Sequence, residues 1–273
     1  MKKINSGLKN YTFLKTERYI KELEELFFQV GAFLLKLRAE GPVDGVWQGS
    51  QLKTEADIAA ERMIINALQK FPGKFPVVSE EDLSTHDYSK LHRYWLVDPI
   101  DGTASYSQGY SGFVTQAALI ENGYPVIGAV YAPVPDDMYI AERGAGAVLN
   151  GRSISVSRKG VEKIILIDNY PEPRGIAEKI FTGLQCIDYV ESGSIGLKIC
   201  RVADGTADLF IKDVLVRDWD IAPGHLILHE AGGRLCDLSG SPIVYEGLSL
   251  EKNNGLIAAS CDEIIASVMN ALD

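Results

Sequence analysis

The feature that most constrains this chain is the run of residues 95–103, with the sequence WLVDPIDGT. Its apolar first half is typical of a buried β-strand, which brings Asp98 to the end of the strand. Pro99 disfavours a helical conformation at Asp98 and has no N–H group for a strand hydrogen bond. The run therefore predicts a strand that ends at Asp98 in a constrained turn.

Two carboxylates flank this turn, at Asp98 and Asp101. Gly102 lets the backbone approach a ligand closely, and Thr103 adds a hydroxyl group beside exposed N–H groups. Carboxylate and carbonyl oxygens are the ligands of hard cations such as Mg²⁺, so the turn is a candidate metal and anion site. The same residues also suit a tight Asp-Gly turn without any ligand, and the turn alone does not distinguish the two interpretations.

Composition narrows the class of protein. The 273 residues suffice for one large domain or two smaller ones, and the net charge of −10 argues against a nucleic-acid partner. The four cysteines are widely spaced, which disfavours a disulfide framework and favours a reducing, cytoplasmic location. The longest uncharged run near the N-terminus, residues 26–35, is too short to span a bilayer, so we expect no membrane segment.

Helical periodicity predicts an amphipathic helix over residues 16–38 and a second helix that ends near residue 70. Thr54 and Asp57 fit a capping box at the start of the second helix. From the residues alone, a structural role for Asp57 is the simpler interpretation.

Other acids also have simple structural explanations. Glu80 and Glu81 follow a short strand, where a solvated acidic loop is the default expectation. Asp220 is predicted to be the N-cap of a later helix, with Pro223 in its first turn. If the strand before Glu80 lies beside the strand before Asp98, however, both strand ends direct acids to one place.

The chain changes character near residues 155–160, which are polar. Before them, short strands separated by turn residues predict an antiparallel sheet. After them, strands and helices alternate, which favours a partly parallel sheet. We therefore predict two subdomains, residues 1–157 with the acidic motifs and residues 158–273, which complete the site.

Taken together, these motifs resemble the inositol monophosphatase family of metal-dependent phosphomonoesterases. The resemblance covers about residues 53–233 and is carried by VSEED at 78–82, WLVDPIDGT at 95–103, WDIA at 219–222 and EAGG at 230–233. It implies an α/β (α+β) fold that forms one family-level domain, a layered α/β/α/β/α sandwich. The sheet of the first half would be antiparallel and that of the second half mixed and mostly parallel. It also implies lithium sensitivity and a homodimer.

The resemblance implies a set of metal ligands. A first Mg²⁺ would be held by Glu80, Asp98 and the carbonyl group of Ile100. A second would lie between Asp98, Asp101 and Asp220, with two or three ions per site in all. Two cations would neutralise a phosphate monoester, activate water and stabilise the leaving alkoxide.

The remaining roles follow from the same resemblance. Asp57 and Thr103 would orient and deprotonate the attacking water, so they are the predicted catalytic residues. The N–H groups of Gly102 and Thr103 would hold phosphate oxygens, and Gly193 and Ser194 are predicted to contact the substrate.

The identity of the substrate is ambiguous in the sequence. Four segments resemble the 3′(2′),5′-bisphosphate nucleotidase branch, at residues 76–82, 94–98, 130–134 and 197–198. However, residues 104–106 read ASY where that branch usually has KEF. Asp213 lies seven residues before Asp220, where inositol monophosphatases place an acid that binds sugar hydroxyls, although it also suits a solvent-facing loop. A carboxylate there would repel a second phosphate.

We therefore expect a small polyol phosphate, such as myo-inositol monophosphate, as the substrate. Hydrolysis of adenosine 3′,5′-bisphosphate to AMP is the alternative, and histidinol phosphate or fructose bisphosphate are less favoured. A different class of function is a regulatory binding module whose phosphatase activity is incidental. Salt-sensitive co-purification with RNA polymerase or RNA would support it, although the acidic balance disfavours direct RNA binding.

Overall fold

The computed structural model describes residues 16–41, 45–48, 51–246 and 255–272. No helix in these ranges has both the length and the apolarity that crossing a bilayer requires. The helices of the described part are α1 (Thr16–Ala39), α2 (Glu55–Leu68), α3 (Thr103–Ser107), α4 (Ile176–Gly183), α5 (Ile195–Ala203), α6 (Asp218–Glu230) and α7 (Asp262–Leu272). The strands are β1 (Gly45–Gln48), β2 (Gln51–Thr54), β3 (Val77–Ser79), β4 (Arg93–Asp101), β5 (Val114–Glu121), β6 (Tyr124–Ala132), β7 (Asp137–Glu142), β8 (Gly146–Leu149), β9 (Arg152–Ser153), β10 (Ile165–Asp168), β11 (Asp188–Glu191), β12 (Leu209–Lys212), β13 (Arg234–Cys236) and β14 (Leu256–Ala259).

The predicted amphipathic helix over residues 16–38 is confirmed as α1. Its side chains Leu23, Phe27, Val30 and Leu34 recur three or four residues apart, so they share one face of the helix. All four are buried, and they belong to the apolar cluster that also contains Trp95 of β4. Helix α1 therefore covers one face of the sheet that carries the acidic turn.

Strands β3 to β9 form the first sheet, in sequence order. Each neighbouring pair is antiparallel except β3 and β4, which run parallel. The β5–β6 hairpin turns at Asn122 and Gly123, which both have positive φ angles of 50° and 78°. Two successive residues with positive φ match the twist of hairpin strands, as the Asn-Gly pair predicts.

Strand β4 does not end at Asp98, as the sequence predicted, but continues to Asp101. The prediction was wrong because the register between β4 and β5 shifts between Asp98 and Asp101. A bulge leaves its extra residues outside the regular ladder, so Pro99 needs no N–H group there. The same bulge places Asp98 and Asp101 on one continuous and buried strand.

The second sheet is mixed, with the strand order β11-β10-β12-β14-β13. Strand β10 runs parallel to β11 and β12, whereas β14 is antiparallel to β12 and β13. Helices α5 and α6 lie between the two sheets, in a cluster that includes Leu96 of the first sheet and Phe210 of the second. Helices α4 and α7 cover the outer face of the second sheet. The order of layers is therefore α/β/α/β/α, which confirms the predicted architecture.

The change from the first sheet to the second falls between Ser153 and Ile165. The predicted boundary at residues 157 and 158 lies in this interval. Helices α5 and α6 belong to the second half of the sequence but pack against strands of the first half. The two subdomains share one core, and their separation at this boundary stays a proposal.

Helix α6 approaches the first sheet closely at Gly128 of β6. A Cβ atom added at Gly128 would lie 2.6 Å from the carbonyl oxygen of Pro223 in α6. Backbone atoms cannot move aside as the end of a flexible side chain can. The absence of a side chain at residue 128 therefore sets how near α6, which carries Asp220, lies to the sheet.

We predict that Gly128→Ala lowers the free energy of unfolding by about 1–3 kcal/mol, because overpacking forces the backbone to shift. Urea denaturation monitored by circular dichroism would measure this effect. Gly183→Ala is the matched control, because its added Cβ meets only the Cβ of Ala271 at 3.8 Å. Equal stabilities of the two variants would contradict the close approach.

Candidate active site

Two neighbouring strand ends bring the first acids together. The parallel pairing of β3 with β4 sets Ser79 opposite Val97, and the N–H group of Glu80 donates to the carbonyl oxygen of Val97 over 3.2 Å. Glu80, the residue after β3, is therefore level with Asp98, the residue after Val97 in β4. The Asp98 carboxylate is buried, and its Oδ1 accepts the N–H group of Ile100 over 3.0 Å. The acidic loop is thus part of the site.

The charges of the four predicted acidic ligands, Glu80, Asp98, Asp101 and Asp220, act on one another. Burial is the largest cause that raises the pKa of each carboxyl group. The charges of neighbouring acids add to this effect at Glu80, Asp98 and Asp220. Burial first, and then the charges of nearby acids, raise the pKa of Glu80 to about 8.

Asp101 and Asp220 are each held by a backbone N–H group. Oδ2 of Asp101 accepts the N–H group of Gly196, the second residue of α5, over 2.7 Å. Oδ2 of Asp220 accepts the N–H group of Arg217 over 2.7 Å. Helix α6 begins at Asp218, so the prediction that Asp220 is its N-cap was wrong. Asp220 is the third helical residue and its carboxylate reaches back to Arg217, the residue that precedes the helix.

The two carboxylate oxygens of Asp57 have different hydrogen-bond partners. Its Oδ2 accepts the backbone N–H of Thr54 over 2.8 Å and the hydroxyl of Thr54 over 2.6 Å, which completes the capping box of α2. Its Oδ1 lies 3.0 Å from the hydroxyl of Thr103, which is also 3.0 Å from the carbonyl oxygen of Ile100. Burial, with a smaller contribution from the charge of Glu81, raises the pKa of Asp57 to about 6. Asp57 and Thr103 therefore form a pair beside the acid cluster.

Glycines bring the two halves of the chain into contact next to this pair. Gly102 has a φ angle of 93°, which favours glycine, and precedes α3. A Cβ atom at Gly193 would lie only 1.9 Å from the carbonyl oxygen of Gly112. That same oxygen accepts the N–H group of Ser194 over 2.7 Å, and Ser194 caps α5 by accepting the N–H group of Leu197. Gly193 and Ser194 thus lie beside Gly102.

One cavity extends from this point. Asp101, Gly102, Gly193 and Ser194 line one part of it. The tyrosines Tyr110 and Tyr170 and the cations Lys198, Arg201 and Lys212 line it as well. The candidate phosphate site therefore opens into a space with cationic and aromatic walls.

The two lysines of the cavity share a buried carboxylate. Nζ of Lys212 donates to Oδ1 and Oδ2 of Asp168 over 2.9 and 3.1 Å. Nζ of Lys198 donates to the carbonyl oxygen of Gly193 and lies 4.9 Å from the ring centroid of Phe210. Burial lowers the pKa of Lys198 to about 8, although the charge of Asp168 opposes that effect. The charge of Asp101 acts on Lys198 as well, and Asp101 and Glu191 line the same cavity, so the cationic side chains are accompanied by carboxylates.

The structure does not bring every predicted residue to the site. Asp213 is exposed and is not among the residues that line the cavity. Its neighbour Lys212 lines the cavity instead, because side chains alternate along an extended chain. The assignment of Asp213 to sugar hydroxyls therefore stays a prediction without geometric support.

Sequence reasoning gave no site role to Gln116, Lys198 or Lys212, although Lys198 lies in a segment that resembles the nucleotidase branch. Two of the three had a signal that could have been used, since a glutamine interrupts the apolar run of β5 and a lysine lies on the buried face of α5. Polar residues at buried positions of regular elements are unusual and call for a partner. The partners themselves lie far away in sequence and could not be inferred.

The chemistry of the acid cluster suits a divalent cation. Within the described ranges, however, no group of three or more acidic, histidine or cysteine side chains has an arrangement that could hold a metal ion. The acids raise one another's pKa and accept backbone N–H groups. A bound cation would relieve the repulsion between their charges. Carboxylate and carbonyl oxygens are the donors that suit a hard cation.

Comparison with known proteins identifies the family. A sequence profile of the inositol monophosphatase family matches residues 16–272. The chain is 34% identical over 201 residues to the 3′(2′),5′-bisphosphate nucleotidase CysQ of Escherichia coli (strain K12), covering 70% of this chain and 78% of that protein. It is 33% identical over 243 residues to the fructose-1,6-bisphosphatase/inositol-1-monophosphatase of Thermotoga maritima, covering 85% and 90%. The structure of the extragenic suppressor protein suhB from Bartonella henselae superposes with a TM-score of 0.80 at 27% identity, covering 94% and 98%.

We predict that Mg²⁺ raises the melting temperature of the metal-depleted protein by roughly 5–10 °C when it is present at about a hundred times its dissociation constant. In Asp98→Asn, the metal-free protein should be at least as stable, because one of the mutually repelling charges is removed. The response to Mg²⁺ should be lost. Differential scanning fluorimetry after EDTA treatment measures both effects. Glu25→Gln, on the exposed face of α1, is the control; an equal Mg²⁺ response in Asp98→Asn would contradict the assignment.

Proposed function

The chain belongs to the inositol monophosphatase family of metal-dependent phosphatases, and we propose that it is a Mg²⁺-dependent phosphomonoesterase that uses the acid cluster as its metal site. The observation that carries this proposal is the group of Glu80, Asp98, Asp101 and Asp220 next to the pair of Asp57 and Thr103. Glu80, Asp98 and the Ile100 carbonyl group are the proposed ligands of a first ion. Asp98, Asp101 and Asp220 are those of a second. When bound, the ions supply positive charge for the phosphate, an activated water and a counter-charge for the leaving oxygen.

Asp57 and Thr103 are the proposed proton acceptors. The Thr103 hydroxyl lies within hydrogen-bonding distance of Asp57 Oδ1, so it can accept a proton from the attacking water and pass its own to Asp57. A carboxyl group with a pKa of about 6 is ionised at neutral pH and remains basic enough to accept this proton. The bonds from Thr54 hold Oδ2 in place and leave Oδ1 directed at Thr103.

The phosphate itself would contact backbone groups. Gly102 and Thr103 begin α3, where N–H groups lack helical partners and can donate to phosphate oxygens. The missing side chain at Gly102 supports this role, since a Cβ atom there would lie 3.2 Å from the carbonyl oxygen of Gly112 and 3.3 Å from the Cβ of Ser194. Gly193 and Ser194 close the opposite wall of the same part of the cavity.

The cavity favours a substrate with a second anionic group, and we rank a 3′(2′),5′-bisphosphate nucleotide first. Lys198, Arg201 and Lys212 line the cavity, and Lys212 donates to Asp168. Tyr110 and Tyr170 offer aromatic faces for a base. The sequence favoured a polyol phosphate because of Asp213, but that carboxylate is exposed and lies outside the cavity lining.

A polyol phosphate is the second candidate. Asn169, Glu191 and Ser192 also line the cavity, and their polar groups can bind sugar hydroxyls. Lithium sensitivity and a homodimer, which the family resemblance implies, are further parts of the proposal. Inhibition assays and light scattering coupled to size-exclusion chromatography test them.

We predict that Asp98→Asn abolishes hydrolysis of phosphomonoesters, because both proposed ions lose a shared ligand. The expected fall in kcat/KM is on the order of 10³-fold or more, because a neutral amide replaces the carboxylate proposed to bind both ions. Malachite-green phosphate release at saturating Mg²⁺ measures it, with circular dichroism to confirm the fold. Turnover close to that of the unsubstituted protein would refute the metal-site proposal.

We predict that adenosine 3′,5′-bisphosphate exceeds inositol 1-phosphate in kcat/KM by about tenfold or more, roughly 1.4 kcal/mol of discrimination. In Lys212→Gln, KM for the nucleotide should rise about tenfold while that for inositol 1-phosphate changes little, because one charge is lost and a hydrogen-bond donor to Asp168 is kept. Lys179→Gln, on the exposed part of α4, is the control. A preference for inositol 1-phosphate would reverse our ranking of the substrates.

A further inference from the structure

We propose that Gln116 is a positioning residue whose side-chain amide sets the distance between Asp101 and Asp220, and thereby the affinity of the second metal site. This inference rests on the proposed function, because it concerns the acids assigned there to the second ion. Gln116 itself need not touch substrate or metal. It acts through the two acids.

Gln116 is a polar residue in the middle of a buried strand. It has no exposed surface, and every residue of β5 from Val114 to Ile120 is buried. The register of the sheet sets Gln116 directly opposite Asp98 in β4. Residues that face each other across antiparallel strands project to the same side, so Gln116 lies on the face that carries the acid cluster.

The amide nitrogen of Gln116 contacts both halves of the site. Nε2 donates to Oδ2 of Asp101 over 3.3 Å and to the backbone carbonyl oxygen of Asp220 over 3.1 Å. A side-chain amide carries two N–H donors, so one group serves both acceptors. The flipped orientation would direct an oxygen at a carboxylate and a carbonyl group, which is repulsive. The contacts therefore determine the orientation of the amide.

The amide oxygen of Gln116 explains why residue 196 is glycine. A Cβ atom at Gly196 would lie 2.2 Å from Oε1 of Gln116 and 3.1 Å from Oδ2 of Asp101. Gly196 also donates its N–H group to Oδ2 of Asp101. Oδ2 of Asp101 thus receives donors from β5 and from α5. Gln116 and Gly196 interlock around one carboxylate.

Stability alone does not account for this glutamine. Its Oε1 is buried without a hydrogen-bond partner among the described residues, which destabilises a fold. A methionine of similar length would avoid that cost. What the amide supplies is a pair of N–H donors between an acid of the first sheet and the start of α6. It holds together two groups whose charges repel.

The test is Gln116→Met, which removes both donors but keeps the length of the side chain. Isothermal titration calorimetry with Mg²⁺, without substrate, measures the affinity of each binding step. The Mg²⁺ affinity of the weaker of the two steps should fall by about tenfold, as happens when other groups that orient metal ligands are removed. The Mg²⁺ concentration for half-maximal activity should rise similarly, while kcat at saturating Mg²⁺ stays within about twofold. Unchanged Mg²⁺ binding, or a loss of kcat that saturating Mg²⁺ does not restore, would overturn the proposal.

Thr115→Val is the matched control. Thr115 is the neighbour of Gln116, is equally buried, and also has a side-chain oxygen without a partner among the described residues. Phe113 and Ala117, which lie two positions before and after Thr115, pack in the cluster beneath α1 on the opposite face of the sheet. Mg²⁺ binding by this variant should match that of the unsubstituted protein. An equal loss in Thr115→Val would attribute the effect to disturbance of the strand and overturn the positioning role.

A second substitution tests the interlock independently. Gly196→Ala should displace the amide and weaken the same Mg²⁺ step. In the double variant with Gln116→Met, whose flexible side chain can move aside, the two effects should be less than additive. Full additivity would contradict the interlock. If the unsubstituted protein binds no Mg²⁺, both the proposed function and the positioning role fail. If the unsubstituted protein and Gln116→Met bind Mg²⁺ equally well, only the positioning role fails.

Discussion

Mutual repulsion among four acids is the constraint on which the rest of this structure depends. Folding brings Glu80, Asp98, Asp101 and Asp220 into one group, where burial and neighbouring charges disfavour their ionised forms. Their positions come from elements that cannot separate easily: a parallel strand pair, a bulged strand and the first turn of a helix between two sheets. The apolar layers on both sides of the first sheet provide the stability that offsets this repulsion.

A recurring arrangement holds these acids in place. In each of four acids, one carboxylate oxygen accepts a backbone N–H group. The donors are Thr54 for Asp57, Ile100 for Asp98, Gly196 for Asp101 and Arg217 for Asp220. Three of these donors lie within three residues of the acid, so the local chain supplies the bond. Asp101 is the exception, because its donor comes from a helix 95 residues away. The second proposed ion is therefore the one whose ligands depend on the contact between the two halves.

Single residues illustrate how far the sequence predicted this site. The residues alone favoured a capping role for Asp57 and the family resemblance implied a catalytic one; in the structure Oδ2 binds Thr54 and Oδ1 lies beside the Thr103 hydroxyl. The strand before Asp98 was recognised, but its continuation through Pro99 was missed, because a bulge depends on the register with β5. Asp220 was misplaced by three residues for a similar reason, since the first turn of α6 holds both Asp218 and Asp220 and only the backbone shows where the helix begins.

Predictions about the cavity depended on the direction of side chains. Lys212 and Asp213 are adjacent, and a shift by one residue in an extended segment decides which of them faces the cavity. Lys198 could be placed on a helix, yet its closeness to Asp168 follows from the packing of α5 on the second sheet. The tertiary structure, and not the motifs, thus moved our ranking towards a substrate with a second anionic group.

The sequence by itself indicated the two kinds of sheet, the acidic turn and the family, because these follow from periodicity and from motifs of a few adjacent residues; the layered fold was implied by the resemblance to that family. Only the tertiary structure decided which side chains share the cavity, that Gln116 joins Asp101 to Asp220, and that Gly196 makes room for it. Those contacts join residues 15 to 104 positions apart. Their geometry depends on strand register and helix packing, which no local pattern specifies.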